Sequence, residues 1–279
     1  MADTQEKKAA EGGQELYLRL MNEQMAGWDD PAAMLERALK DDNHFLLYQQ
    51  KILAVRTGAP EPQCHEILLR LKQEEDHLLP PGGFFPVAES LGKMGEIDRW
   101  VVSHLLAWGA ARAKANPSAP LPMMCVNLST DSIKDRGFAR FVREELHKTG
   151  YPPRALCFEL GEPDVIALHK ETQDFITAIK PGCRVTLDAF GSVKVSFAHL
   201  TGLAIDFIKI DGVITQNILR EPSELAKARA ISLACQKIGV RTIAEFVETK
   251  EMFEKLREIG VDYVQGFGIA RPEPITKLA

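Results

Sequence analysis

The stretch Cys183-Arg-Val-Thr-Leu-Asp-Ala-Phe-Gly191 decides the reading of the whole chain. Val185 and Leu187 alternate with Arg184 and Thr186, the period-two pattern of a strand, and Asp188 falls where that strand ends. Gly191 then marks a turn. The last residues of a parallel strand deliver side chains to the end of the sheet or barrel where ligands are held. Asp188 is therefore a candidate functional carboxylate, and Ala189 beside it is the departure to explain.

The same unit, an apolar strand with a polar residue near its C-terminal end followed by a helical stretch, recurs along the chain. The strands are expected at 123–128 with Asn127, 155–160 with Glu159, 183–187 leading to Asp188, 207–210 with Lys209 and Asp211, 241–247 with Glu245, and 262–267 with Gln265. Helical patterns fall at 96–115, 138–149, 171–179, 224–239 and 250–259, and a shorter one at 86–91 follows a Pro80-Pro-Gly-Gly83 turn. Before them, 44–55 and 65–71 read as a hairpin, so Glu66 could reach the functional rim from the start of a strand running the other way. Six units plus a hairpin favour a closed (β/α) barrel over an open sheet, and 279 residues are enough for one.

Residues 1–14 are polar and Gly-containing and read as disordered, with an amphipathic helix at 15–25 and a helix start at Asp29-Asp30-Pro31. Residues 1–40 are thus expected to be a connector and 41–279 the barrel domain. A net charge of −5 argues against an extended nucleic-acid polymer as partner, because such affinity rests on Lys and Arg neutralising phosphates. The five cysteines form no CxxC pair and lie in apolar runs, which fits reduced core residues of a cytoplasmic protein. No apolar run reaches the roughly 18 residues of a membrane span.

Glu66, Asn127, Glu159, Asp188 and Glu245 form an all-oxygen set from five strands, with Lys209 among them. Hard oxygen donors suit Mg²⁺, Mn²⁺ or Ca²⁺. Two such ions would activate water and stabilise a leaving alkoxide in phosphodiester hydrolysis. Another metal-dependent barrel chemistry, such as enolate formation, and purely structural acids remain the alternatives.

These residues stand in motifs that resemble the EAL-domain cyclic-di-GMP phosphodiesterases from Phe45 to Pro274. The motifs are Glu66-Ile-Leu68, Val126-Asn-Leu-Ser129, Phe158-Glu-Leu-Gly-Glu162, Leu187-Asp-Ala-Phe-Gly191, Ile208-Lys-Ile-Asp211, Ala244-Glu-Phe-Val-Glu248, and Gln265-Gly-Phe267 before Arg271-Pro272. The resemblance implies a TIM-like (β/α)8 barrel with one reversed strand near the start, and hydrolysis of cyclic di-GMP to linear pGpG. It makes Glu66, Asn127, Glu159, Asp188 and Glu245 ligands of Mg²⁺ or Mn²⁺, with Ca²⁺ as a non-productive substitute. It places Lys209 against the reacting water and phosphate and Glu248 in support of catalysis. Glu162 is implied to brace the loop after Asp188, and Arg70, Asp211 and Gln265 to line the ligand.

Two further residues are weighed on their chemistry. Phe246 could stack on a guanine or simply pack. Asp98 could accept from a guanine edge or pair with its neighbour Arg99. Active relatives have a second aspartate where Ala189 stands, so the second metal loses a ligand, an effect worth a few kcal/mol of transition-state stabilisation. A cyclic-di-GMP receptor with weak or lost hydrolysis is thus the leading expectation, ahead of an active phosphodiesterase and of a protein-interaction scaffold. A sensor or diguanylate cyclase domain in a longer parent chain, and a homodimer, are the partners the resemblance adds.

Overall fold

The computed structural model describes residues 31–41, 44–55, 63–72, 78–79, 81–119, 121–180, 182–192 and 194–278. The expected disordered start and the helix at 15–25 lie outside them. Contacts divide the chain into two compact units, one holding residues up to Leu46 together with Leu69–Ile97, the other Leu47–Leu68 with Asp98–Ala279.

The second unit is built on a ring of eight strands, to which β1 contributes from Leu47 and β2 up to Leu68: β1 (Phe45–Ala54), β2 (Cys64–Lys72), β4 (Met123–Asn127), β5 (Leu156–Gly161), β6 (Arg184–Phe190), β7 (Phe207–Ile210), β8 (Arg241–Ala244) and β9 (Tyr263–Val264). Each of β4 to β8 pairs in parallel with the next, β9 pairs with β1, and a β1–β2 pairing closes the barrel. β1 runs antiparallel to β9 (Leu53↔Val264), whereas β2 runs parallel to β4 (Cys64↔Met123). The reversed strand is therefore β1. Glu66 sits on a strand that runs with the others, which corrects the expectation that it enters from a reversed one. A short β10 (Glu273–Pro274) flanks β1.

Inside the ring, Ile52, Cys64, Met123, Cys125, Cys157, Phe207, Ile243 and Tyr263 pack as one buried cluster. Side chains alternate across a strand, so the next inward position is two residues away. That step leads from Cys64 to Glu66, Cys125 to Asn127, Cys157 to Glu159, Phe207 to Lys209, Ile243 to Glu245 and Tyr263 to Gln265. On β6 it leads from the fully buried Thr186 to Asp188. On reversed β1 the step runs backwards, from Ile52 to Gln50.

Helices cover the outside. α5 (Phe138–Thr149) and α7 (His169–Ile179) pack on β5 through Phe138, Phe158 and Phe175, whose rings lie 5.6–6.4 Å apart. Burying such rings stabilises by roughly 1.5–3 kcal/mol each. α9 (Pro222–Ile238) turns Ala228, Ile231 and Cys235 inward, and α10 (Lys250–Glu258) turns Met252 and Leu256. Three short helices, α4 (Thr130–Lys134), α6 (Glu162–Ala167) and α8 (Gly212–Asn217), begin within three residues of the ends of β4, β5 and β7. All five cysteines are free and buried.

The first unit holds α1 (Pro31–Lys40), β3 (Leu78–Leu79) paired with the end of β2, and α2 (Pro81–Ser90). Leu35 and Ala38 bury the inner stripe of α1, and Phe45 meets Phe84 at 5.8 Å. The expected Pro80-Pro-Gly-Gly83 turn is corrected: Pro81 opens α2, where its missing N–H costs nothing, and both glycines lie in the first turn. α3 (Met94–Ala115) begins in the first unit and continues from Asp98 in the second. Among the described residues, no helix is long and apolar enough to cross a membrane.

Candidate active site

Six side chains meet above the apolar barrel floor. Lys209 is 1% exposed, and its Nζ lies 3.1 Å from Glu66 Oε2, 2.8 Å from Glu159 Oε2 and 3.2 Å from Glu245 Oε1. Asn127 Nδ2 donates to Glu66 Oε1 at 2.7 Å. Gln265 Nε2 donates to Glu66 Oε2 at 2.6 Å, which leaves both oxygens of Glu66 engaged. Asp188 stands at the half-buried edge, where its Oδ1 accepts the Ala189 amide at 2.8 Å. Its charge reaches Lys209, Glu159 and Glu245.

Four carboxylates thus face one ammonium. Burial disfavours charge on Lys209, but Glu159, Glu66, Glu245 and Asp188 outweigh it and hold the amine well above its ordinary range. Burial likewise works to raise Glu66, and there Lys209 with the donors Gln265 and Asn127 wins, so this carboxyl is held low. Glu159 and Glu245 lack that help. Burial, added to by their acidic neighbours, pushes Glu159 up to about 8 and Glu245 to about 7 against the pull of Lys209. The cluster is short of positive charge.

It is also short of donors. Glu159 Oε1 and Gln265 Oε1 are buried without a hydrogen-bond partner. Orphaned acceptors and surplus negative charge among oxygen donors are what a hard divalent cation would satisfy, so the residues fit such an ion chemically. Among the described residues, no three acidic, His or Cys side chains converge at metal-ligand spacing, because Lys209 holds the centre towards which the carboxylates turn.

The end of β6 departs from regular strand geometry. The register against β7 shifts between Leu187 and Phe190, and Ala189 sits in this bulge at φ 55°, a left-handed conformation unusual for a residue with a side chain. The loop beyond it is held by Glu162, whose Oε2 accepts the Gly191 amide at 2.9 Å while His199 Nε2 lies 3.1 Å from its Oε1.

The remaining predicted residues take separate places. Asp98 is buried and accepts from the amide and hydroxyl of Ser129 at 3.0 and 2.6 Å, and Arg99 pairs with Asp135 rather than with Asp98. Burial raises the Asp98 carboxyl despite those donors. Asp211 caps α8, accepting the Val213 amide at 2.9 Å. Phe246 is half exposed at φ 53°, and its ring lies so close to Gly212 that a Cβ there would come within 2.3 Å of it. Glu248 is exposed, outside the cluster. Arg70 belongs to the first unit, where its guanidinium donates to the Leu69 carbonyl.

One member of the cluster escaped the sequence reading. Gln50, 7% exposed on reversed β1, accepts from Gln265 Nε2 at 3.1 Å and donates to the Ala270 carbonyl at 2.9 Å. The signal was present in Gln49-Gln50, two amides ending an apolar run.

Comparison with known proteins agrees with this geometry. Cyclic di-GMP phosphodiesterase PdeF of Escherichia coli K12 is 33% identical over 250 residues, covering 88% of this chain and 32% of the relative. Oxygen sensor protein DosP of the same organism is 29% identical over 273 residues, 98% of this chain and 34% of the relative. The chain thus spans about a third of the length of these curated relatives. Among solved structures, the FimX EAL domain of Pseudomonas aeruginosa bound to c-di-GMP superposes with a TM-score of 0.80 at 26% identity, covering 88% of this chain and 96% of that one. The Xanthomonas citri FimX EAL domain in complex with c-di-GMP gives 0.80 at 29% identity, with 88% and 94% coverage. The EAL domain profile matches residues 32–272, nearly the whole described chain, and this protein belongs to the EAL-domain family.

Proposed function

We propose that this domain is a cyclic-di-GMP receptor whose hydrolysis is weak or lost. The observation that carries the reading is the end of β6, where Asp188 is followed by Ala189 in a bulge, so a methyl group stands beside Asp188 where a second carboxylate would be needed. Glu66, Asn127, Glu159, Asp188 and Glu245 would hold Mg²⁺ or Mn²⁺, with Ca²⁺ as a non-productive substitute, and the ion would supply charge to polarise a phosphate and activate water. Lys209 contributes a fixed positive charge, Asn127 and Gln265 orient Glu66, and Glu162 holds the Gly191 loop. Phe246, Asp211, Asp98 and Arg70 would face the ligand, and Glu248 would support catalysis. The two FimX domains bound to c-di-GMP support binding as the retained activity.

The second reading, an active phosphodiesterase, is favoured by the intact set around Lys209 and by relatives such as PdeF. A scaffold without nucleotide binding is the third. We place the domain in the cytoplasm, in a longer parent chain with a sensor or cyclase domain, and as a candidate homodimer.

The test is paired. Cyclic di-GMP is titrated by calorimetry in EDTA and in Ca²⁺, and the protein is then incubated with Mg²⁺ or Mn²⁺ while pGpG is followed by chromatography. Binding without pGpG is the expected outcome. Turnover abolished by Glu66→Ala would overturn it in favour of the enzyme, and no binding in any condition would leave the scaffold.

A further inference from the structure

The orientation of Gln265 is set by a chain of hydrogen bonds that starts at a backbone carbonyl. Ala270 O can only accept, so the Gln50 side chain must turn its NH₂ group towards it, at 2.9 Å. That leaves Gln50 Oε1 facing Gln265, which must in turn present its own NH₂, at 3.1 Å. The same Gln265 nitrogen donates to Glu66 Oε2 at 2.6 Å, so both of its protons have acceptors. Gln265 Oε1 is then forced to the other side, where it is buried and has no partner.

The backbone around Gln265 is fixed independently. Its amide donates to Ala244 O at 2.8 Å, and its carbonyl accepts from Val247 at 2.9 Å. Main-chain bonds place the residue, and two acceptors, Gln50 Oε1 and Glu66 Oε2, together fix which end of the amide faces them. Without Gln50 one Gln265 proton loses its acceptor and the side chain keeps only the single bond to Glu66 Oε2, about which the amide can rotate and carry Oε1 away from its position.

We propose that Gln50 is a positioning residue for nucleotide binding: it holds Gln265 with Oε1 as a buried acceptor awaiting a donor group of the bound dinucleotide. Gln50 also ties the segment Gly266–Ala270, which follows the cluster in sequence, to Glu66 through two side chains. This inference rests on the receptor reading proposed above.

Gln50→Met keeps length and bulk and removes both amide functions, so it separates positioning from packing. Calorimetry of cyclic di-GMP with the whole chain in EDTA should show about tenfold weaker binding for Gln50→Met, the effect of one buried polar group left mispaired. In a Gln265→Met background the same substitution should change affinity by less than about twofold, because it acts through Gln265. A merely structural role would lower the thermal midpoint and weaken binding by the same factor in both backgrounds. If Gln50→Met does not fold, Gln50→Ala, which leaves room for water, takes its place in the same cycle. Wild-type binding with an unchanged Gln50 variant, or with additive effects, overturns the inference alone. Absence of wild-type binding defeats the receptor reading, and this inference with it.

Discussion

Two layers of the barrel interior lie two residues apart on the same strands and have opposite chemistry. The floor is Ile52, Cys64, Cys125, Cys157, Phe207, Ile243 and Tyr263, apolar and closely packed. Above it stand Gln50, Glu66, Asn127, Glu159, Asp188, Lys209, Glu245 and Gln265, buried or half-buried except for the exposed Asn127, and held by hydrogen bonds and charge. The floor stabilises by removing apolar surface from water, an effect without pH dependence. The upper layer stabilises only as far as its charges balance, and four carboxylates against one ammonium do not. The comparison separates what holds the fold from what is kept for a ligand.

The largest effects should come from breaking each layer at its centre. Lys209→Met strips the cluster of its cation and should cost about 3–5 kcal/mol of stability at pH 8, measured by urea unfolding without divalent ions. The loss should shrink as pH falls, because Glu159 and Glu245, already raised to about 8 and 7, then take up protons. Phe207→Ala, fully buried below it, should cost about 3–5 kcal/mol at every pH. A pH-independent loss for Lys209→Met would mean the upper layer behaves as ordinary core.

Next in size is the repair of the upper layer. Ala189→Asp puts a carboxylate beside Asp188, and aspartate tolerates the left-handed backbone at φ 55° better than most residues. One recovered electrostatic contact is worth roughly a hundredfold or more in rate, so pGpG formation with Mn²⁺ should rise by about that factor. An unchanged rate would show that Ala189 is not what limits turnover.

A smaller effect concerns a residue beside the upper layer that faces away from it. Burial, helped by Lys51 and Arg112, lowers His65 to about 4, and the ring hydrogen-bonds Gln49. Its folded-state value lies below the ordinary 6.5, so its contribution is complete above pH 6.5 and is lost as pH falls towards 4. By pH 5 the loss should be on the order of 2 kcal/mol, and His65→Gln should flatten that slope. A slope unchanged in the variant would assign the acid sensitivity elsewhere.

The sequence showed the upper layer more clearly than its support. Each strand on the parallel side ends an apolar run with a polar residue, so Asn127, Glu159, Asp188, Lys209, Glu245 and Gln265 were visible as a repeated pattern. Gln50 was not, since β1 is reversed and its inward polar residue precedes Ile52 instead of following it. The same reversal misled the reading of Glu66, because a hairpin tells that two strands run oppositely but not which one joins the barrel direction. Helices α4, α6 and α8, five or six residues each, are too short to show a helical period, and the start of α2, expected only from Pro86, hid behind a proline–glycine run. Ala189 was legible as a missing carboxylate, but its bulge depends on register with β7 and could not be seen in one strand.

The smallest prediction asks whether Asp211 belongs to the scaffold or to the site. Its carboxylate caps α8 through the Val213 amide, beside the Gly212 on which Phe246 packs. Removing the cap in Asp211→Ala should cost about 1 kcal/mol, whereas Asp211→Asn keeps an acceptor and should lose only a few tenths. Affinity for cyclic di-GMP then decides between the roles. If Asp211 acts only as a cap, Asp211→Asn should bind like the wild type. If its charge meets a guanine N–H edge, Asp211→Asn should fold normally yet bind several-fold more weakly, since a charged acceptor makes a stronger hydrogen bond than a neutral amide. That split, stability kept and affinity lost, would extend the ligand-facing layer past the barrel strands to the first turn of a helix.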